Sequence, residues 1–217
     1  QLPLTTARLR AEGFDETRLL TRHSNFAGLP RVLGETGHPG VHAFFADLGV
    51  SSMQIDDPAR GFSWKTEGPL DMRLNPTRGQ TAGELLQKLA APKLAALPEE
   101  NADEPHAAAI ARAIAGKTFP GTRTLAAAIR AVVEPAHRLR PDAEDLTEKS
   151  VRRVFQALRI EVNAECSALD SLLRALPSIL LPGGRAAILG CGVLLRRSRN
   201  SRPPPRGAPR RPPPPPP

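Results

Sequence analysis

At 217 residues, 40% of them hydrophobic, the chain is long enough for one sizeable core and a smaller appendage. No run approaches the roughly 18 apolar residues of a membrane-crossing helix, which excludes that class. Two cysteines, Cys166 and Cys191, are too few for a disulfide scaffold or a multi-cysteine zinc module and point to a reducing compartment. The net charge of +8 sits at one end: residues 191–217 hold seven arginines (196, 197, 199, 202, 206, 210, 211) and no acid. Residues 1–190 therefore carry 23 basic against 22 acidic side chains, a balance of +1. The body has no global electrostatic footprint for nucleic acid, and a local patch is left open. Gln1 in place of an initiator Met predicts a fragment or a processed form.

In chain order, Val41-His42-Ala43-Phe44-Phe45-Ala46 is a short apolar run ending in Asp47 and Leu48-Gly49. It predicts a buried strand with a carboxylate at its C-terminal end, the edge where an open parallel sheet binds ligands. The following stretch, DLGVSSMQIDDPARGFSWKTEGPLDMRLNPTRGQ over 47–80, is rich in polar, glycine and proline residues. Long connectors without regular structure are often functional. Read as a ligand loop, Asp47 accepts from a nucleotide-like ligand, Ser51, Ser52 and Gln54 add hydrogen bonds, and Phe62 and Trp64 offer stacking faces. Read as scaffold, the Asp caps a helix and the aromatics fill core. Both readings stand.

Thr81-Ala82-Gly83-Glu84 is a capping box opening a helix over Leu85–Ala91, with Pro92 as its stop. Residues 105–115 and 124–134 are Ala-rich helical stretches punctuated by Gly116 and Pro135. Val154, Leu158, Val162, Leu169, Leu172, Leu173 and Leu176 then recur at mostly helical spacing. Pro182-Gly183-Gly184 turns the chain into a strand, Arg185–Leu189. Helix, glycine-rich turn and strand form the second half of a βαβ crossover. The texture of 77–149 predicts a small helical domain inserted between strands of an α/β sheet.

From Gly190 the text becomes GCGVLLRRSRNSRPPPRGAPRRPPPPPP, with ten prolines after residue 200. It predicts disorder or polyproline II. It reads as a solvated tail, a basic RNA-binding or Pro-rich ligand tail, or an out-of-frame translation of GC-rich DNA, the last being favoured. His23, His38, His42, His106 and His137 lack metal-site spacing. Cys166 is expected to pack within the late helix, and Cys191 carries no inference.

DLGVSSMQIDDPARGFSW followed by GPLDMRLNPTRGQTA resembles the signature of the MraW/RsmH family of ribosomal RNA cytosine-N4 methyltransferases. The likeness continues through Thr122-Arg123-Thr124-Leu125-Ala126, Arg153-Val154-Phe155-Gln156-Ala157-Leu158-Arg159-Ile160-Glu161-Val162-Asn163 and Leu181-Pro182-Gly183-Gly184-Arg185, covering about residues 20 to 189. The resemblance implies S-adenosylmethionine as cofactor, contacted by Asp47, Gln54 and Phe26, the last following the preceding strand. It implies an enzyme acting on the small-subunit rRNA decoding centre, and so an rRNA or ribosomal-subunit partner, with no metal and no membrane. A homodimer is left open. Asp71, Arg73 and Arg78 are candidates for RNA or cytidine contacts, set against salt bridging within the loop.

The implied fold is α/β, an incomplete Rossmann-like S-adenosylmethionine-dependent methyltransferase with an inserted helical domain. Residues 1–76 and 150–189 form its core, 77–149 the insertion and 190–217 a disordered tail. The family's glycine-rich turn and second-strand acid are missing from this text, so the chain is expected to carry about half of the cofactor pocket. After Leu189 the family text also stops abruptly, which suggests a mis-spliced or frame-shifted end.

Methyl transfer to an exocyclic amine needs the nitrogen in line with the methyl at near-attack distance. The base must be unstacked to be reached, and Phe62 or Trp64 can stack on it. Asp47 is a physical candidate to accept from the amine, although the resemblance assigns it to the cofactor. The alternative is a non-catalytic RNA- or ribosome-binding remnant that uses the helical insertion and the basic tail. Bacterial cytoplasm, chloroplast and mitochondrion are all open settings, with the proline-rich end favouring a eukaryotic organelle and any transit peptide lying outside this text.

Overall fold

A computed structural model describes residues 2–190, so the readings made for Cys191 and for the Arg/Pro-rich tail beyond it lie outside the described residues. The described chain divides into two compact units: residues 2–47 with 167–189, and residues 48–166. It is a mixed α/β protein whose strands form one parallel pair.

The first unit holds α1 (Leu2–Ala11), α2 (Leu29–Glu35) and β1 (Val41–Asp47). Most of α9 (Glu165–Ile179) and β2 (Leu180–Leu189) belong to it as well. β1 and β2 run parallel with Ala43 opposite Arg185 and Asp47 opposite Leu189. This is the parallel pairing expected of a crossover. The details differ from the sequence reading in three ways. First, α9 runs directly into β2, and Pro182-Gly183-Gly184 is an irregularity inside the strand. The register passes from Val41–Leu180 to Ala43–Arg185 there, with Gly183 at φ 77°. Second, β1 is not a buried strand: Phe45 is 66% exposed and Leu189 on its partner 55%. Side chains alternate between two faces, and a pair of strands among the described residues leaves both faces partly open. Third, no strand precedes Phe26 among the described residues; positions 19–25 make no ladder, and a short 3₁₀ turn follows, Phe26–Gly28, capped by the Asn25 side chain. The polar run Thr21-Arg22-His23-Ser24-Asn25 has little apolar surface with which to hold a strand in place.

The second unit opens with a long loop carrying α3 (Ser52–Asp56) and a 3₁₀ turn, Pro58–Arg60. Five helices follow: α4 (Ala82–Lys88), α5 (Ala91–Ala102), α6 (Ala107–Ile114), α7 (Thr122–His137) and α8 (Ala143–Val162). The Thr81–Glu84 capping box forms as read. Pro92, however, starts α5 rather than stopping α4, because in a first turn it lacks only a donor that would have had no intrahelical partner. Pro135 likewise lies within α7, which continues to His137. The apolar spacing after residue 150 serves two helices, α8 and α9, parted where Ala164 takes a left-handed φ of 49°.

The core of this unit is built from one stripe of each helix. Leu125, Ala126, Ile129 and Val133 of α7 and Val151, Val154, Phe155 and Leu158 of α8 recur three and four residues apart and are buried. Leu86 of α4 and Ile110 and Ile114 of α6 join them. α5 packs on α6 and α8, and α7 on α6 and α8.

The loop crosses itself closely at two glycines. A Cβ on Gly61, which has φ 68°, would overlap the Pro69 carbonyl oxygen, and one on Gly68 would overlap that of Pro58. Gly79 shares the left-handed conformation, at φ 81°, but has open space around it. Gly79→Ala should therefore cost about 1–2 kcal/mol for backbone conformation alone. Gly61→Ala should cost clearly more in the same urea titration, since the crossing must also move. Equal losses would show that the close approach is not a constraint.

Candidate functional site

In the first unit, Asp47 ends β1 on the C-terminal edge of the parallel pair, with its side chain exposed. Among the described residues its carboxylate makes no hydrogen bond or ion pair, which leaves it able to accept from a ligand. Phe26 is half-buried at the start of its 3₁₀ turn.

The other candidates lie in the second unit. Gln54 closes a capping box on α3: its Oε1 accepts from the Ser51 N–H at 2.9 Å, while the Ser51 hydroxyl accepts from the Gln54 N–H. The side-chain carbonyl is thus occupied by the helix start, and the amide nitrogen is the group able to reach outward. Phe62 is only 8% exposed and belongs to the core, with the Arg60 guanidinium 5.6 Å over its ring. Trp64 is half-buried. Its ring packs against Phe155 at 4.9 Å, and its indole N–H donates to Glu148 at 3.0 Å. Glu148 also accepts from Arg130 at 2.6 Å, and these two donors hold its carboxyl below the ordinary value, Arg130 having the larger effect. Asp71 and Arg73 bind each other in a two-pronged pair at 2.8 and 2.7 Å, and Arg73 also donates to the Gly79 carbonyl. Arg78 is exposed in the turn after Asn75.

The signature segments converge in this unit. The Asn163 amide donates to the Met72 and Arg159 carbonyls, each at 2.8 Å, and its Oδ1 accepts from the Leu74 N–H at 2.6 Å. Met72 is fully buried with φ 57°. Arg60 donates to the Arg73 and Leu74 carbonyls. At the start of α7, the Thr122 N–H donates to the Gly68 carbonyl, its hydroxyl donates to the Thr66 carbonyl, and Glu67 accepts from the Arg123 N–H. A carboxylate at that helix end also meets the positive end of the helix dipole.

Between the loop and α8 lies a pocket of about 410 Å³, within the size range of small-ligand sites. Phe62, Trp64 and Lys65 line it from the loop, and Arg152, Phe155, Gln156 and Arg159 from α8. The α8 set was missed in the sequence reading, although its spacing of three, four and seven places it on one helix face. Arg159 is held by Glu165 through two bonds, at 2.8 and 3.0 Å. The Arg152 and Lys65 side chains are exposed and make no ion pair among the described residues.

Two outcomes follow from these contacts. Asn163→Ala removes three hydrogen bonds and strands the Leu74 N–H and Met72 C=O, so it should cost about 3 kcal/mol in urea unfolding. Arg73, by donating to Asp71, holds that carboxyl below its ordinary value of 3.8. A carboxyl lowered by folding adds stability that is complete above the unfolded value and fades as pH falls through the folded one. The stability gap between wild type and Asp71→Asn should therefore be full above about pH 5 and shrink steadily towards pH 2. A gap independent of pH would show that the pair contributes nothing to folding.

Residues 2–194 match the MraW methylase family. The chain is 43% identical to ribosomal RNA small subunit methyltransferase H 1 of Agathobacter rectalis, over 85% of this chain and 53% of that protein. It is 42% identical to methyltransferase H 2 of Alkaliphilus metalliredigens, over 87% of this chain and 54% of the relative. With ribosomal RNA small subunit methyltransferase H of Halorhodospira halophila it shares 41% identity, over 86% of this chain and 57% of that one. The chain thus spans about half the length of the curated relatives it matches. These bacterial relatives lend no support to an organellar setting. With a family match over most of its length, the chain belongs to the MraW methylase family.

Proposed function

We propose that this chain is part of an S-adenosylmethionine-dependent methyltransferase acting on the N4 amine of a cytidine in the decoding centre of small-subunit rRNA, in the cytoplasm of a bacterium. Family membership and relatives named for small-subunit rRNA methylation support the reading. The observation that carries it is Asp47. An exposed carboxylate without a protein partner, at the C-terminal edge of a parallel strand, suits a ligand that presents hydroxyl or amine donors. In this reading residues 77–149 are a helical insertion in a Rossmann-like sheet.

The residues at hand fit an adenosyl cofactor in part. Asp47 offers an acceptor, Phe26 an apolar face, and Gln54 its amide nitrogen; the Gln54 carbonyl is committed to Ser51. The cofactor, when bound, supplies the methyl group as a sulfonium. The protein's task is then positional: to fix the cofactor and to hold an unstacked cytosine so that its amine is aligned. Asp71 and Arg73 serve this indirectly by shaping the loop, since each satisfies the other, and Arg78, which is exposed, is the residue of that segment assigned to RNA in this reading.

Calorimetric titration of the 217-residue chain with S-adenosylmethionine should give saturable binding. Asp47→Ala should weaken it by about tenfold or more, the loss of a charge-assisted hydrogen bond. Phe26→Ala should weaken it less, and a tritiated-methyl assay on small ribosomal subunits should follow the same order. Equal binding by wild type and Asp47→Ala would remove Asp47 from the cofactor site.

A further inference from the structure

The geometry points to the pocket between the loop and α8 as a seat for one unstacked cytidine nucleotide. Trp64 supplies the stacking face, Lys65 and Arg152 the phosphate contacts, and Asp56 the acceptor for the exocyclic amine. This deepens the proposed function and rests on its assignment of an RNA cytidine as substrate; the residues are chosen by their chemistry in this pocket.

Three features carry it. The first is the indole. Base stacking needs an aromatic face held still, and Trp64 is fixed at both ends by Phe155 at 4.9 Å and by the N–H bond to Glu148. Glu148 is itself anchored by Arg130. A side chain fixed in this way loses little further freedom when a base docks. Phe62 cannot take the same role, being 8% exposed with a guanidinium over its ring.

The second feature is charge. Of the three cations that line the pocket, Arg159 is neutralised by Glu165, whereas Lys65 and Arg152 are exposed and make no direct ion pair among the described residues; Glu148, the carboxylate that feels the Arg152 charge, is already bound by Arg130 and Trp64. Lys65 and Arg152 approach from opposite walls, one on the loop and one on α8, while the body as a whole is nearly neutral. Two exposed cations not spent on a direct ion pair, beside an aromatic face, form the pairing that single-stranded nucleic acid uses. A purely apolar ligand would leave both of them unused.

The third feature is Asp56, the last residue of α3. Asp56 lines the same pocket, is exposed, and its carboxylate makes no hydrogen bond or ion pair among the described residues. An acidic group opposes a bare phosphate, so simple anion binding does not account for it. A carboxylate does accept from the cytosine N4 amine, which uracil replaces with a carbonyl oxygen. The set therefore selects cytidine over uridine.

The chain's single tryptophan is the residue proposed to stack, so its intrinsic fluorescence reads the pocket directly. The full chain is titrated with cytidine 5′-monophosphate, uridine 5′-monophosphate, ribose 5-phosphate and a short single-stranded RNA containing one cytidine. Labelled-RNA anisotropy and methyl transfer are followed in parallel. Saturable quenching is expected from the cytidine ligands, about tenfold tighter than from uridine, with little from ribose 5-phosphate. Asp56→Asn should abolish the cytidine preference while quenching persists. Lys65→Gln and Arg152→Gln, both at exposed positions, should each weaken RNA binding about tenfold at low salt and flatten its salt dependence by roughly one phosphate contact. Trp64→Phe should retain more RNA affinity than Trp64→Leu.

RNA binding without quenching, no quenching by any nucleotide, or equal binding of ribose 5-phosphate would each overturn the pocket assignment. An unchanged cytidine preference in Asp56→Asn would overturn the role of Asp56. Quenching with no saturable S-adenosylmethionine binding would overturn the cofactor reading and leave the pocket standing. Methyl transfer without quenching would do the reverse.

Discussion

The helical unit depends on one amide. Residues 57–80 have few backbone groups paired in helix or ladder, and each unpaired N–H or C=O that leaves water must find a partner elsewhere. Asn163, just past the end of α8, supplies an acceptor to Leu74 and a donor to Met72, and also returns to the Arg159 carbonyl of its own helix. A single planar side chain thus couples the loop to the helix that forms the far side of the pocket. Thr122 does the same for Thr66 and Gly68 at the start of α7, and Arg60 does it within the loop for Arg73 and Leu74.

These contacts give the family signature a physical meaning. Much of the text that carries the resemblance is occupied in holding the loop rather than in offering groups to a ligand. Asp71 and Arg73 neutralise each other, Gln54 closes a helix start, Gly61 and Gly68 let two backbone segments cross, and Asn163 ties the ends together. Other groups make no hydrogen bond or direct ion pair of their own among the described residues, among them Asp47 in one unit, and Asp56, Lys65, Arg78 and Arg152 in the other. Chemistry directed at a ligand is best sought among them, because a group already satisfied by the protein must break a bond to serve anything else.

A rigid wall also explains how a small, half-polar pocket persists on the surface of a helical unit. The Trp64 indole is gripped through Glu148 by Arg130 of α7, so three segments fix one aromatic plane. The neighbouring Phe155 reaches from the pocket into the core, where it meets the apolar stripe of α8. Movement of the pocket wall would therefore disturb core packing, which is costly at interior density. Preorganisation of this kind reduces the ordering cost of binding.

Local rules determined a good deal. The β1 run with its terminal aspartate, the Thr81–Glu84 box, the helical spacing of α6, α7 and α8 and the return to a strand near residue 185 are all set by neighbours a few residues apart, and so were legible. The prolines misled because their meaning depends on position: Pro92 opens α5, and Pro135 sits inside α7. The exposure of Phe45 and the division of one apolar series between α8 and α9 also escaped, since burial and a left-handed Ala164 depend on what lies beside the chain in space. The same holds for the site. The sequence named Phe62, Trp64, Asp71 and Arg73 as a group, but only the tertiary structure sorted the core ring from the half-exposed one and paired the two charges. It also brought Arg152 of α8 to the same pocket as Lys65. Residue type and spacing fix which chemistry is available; which of it stays unpaired is decided by contacts between residues tens of positions apart.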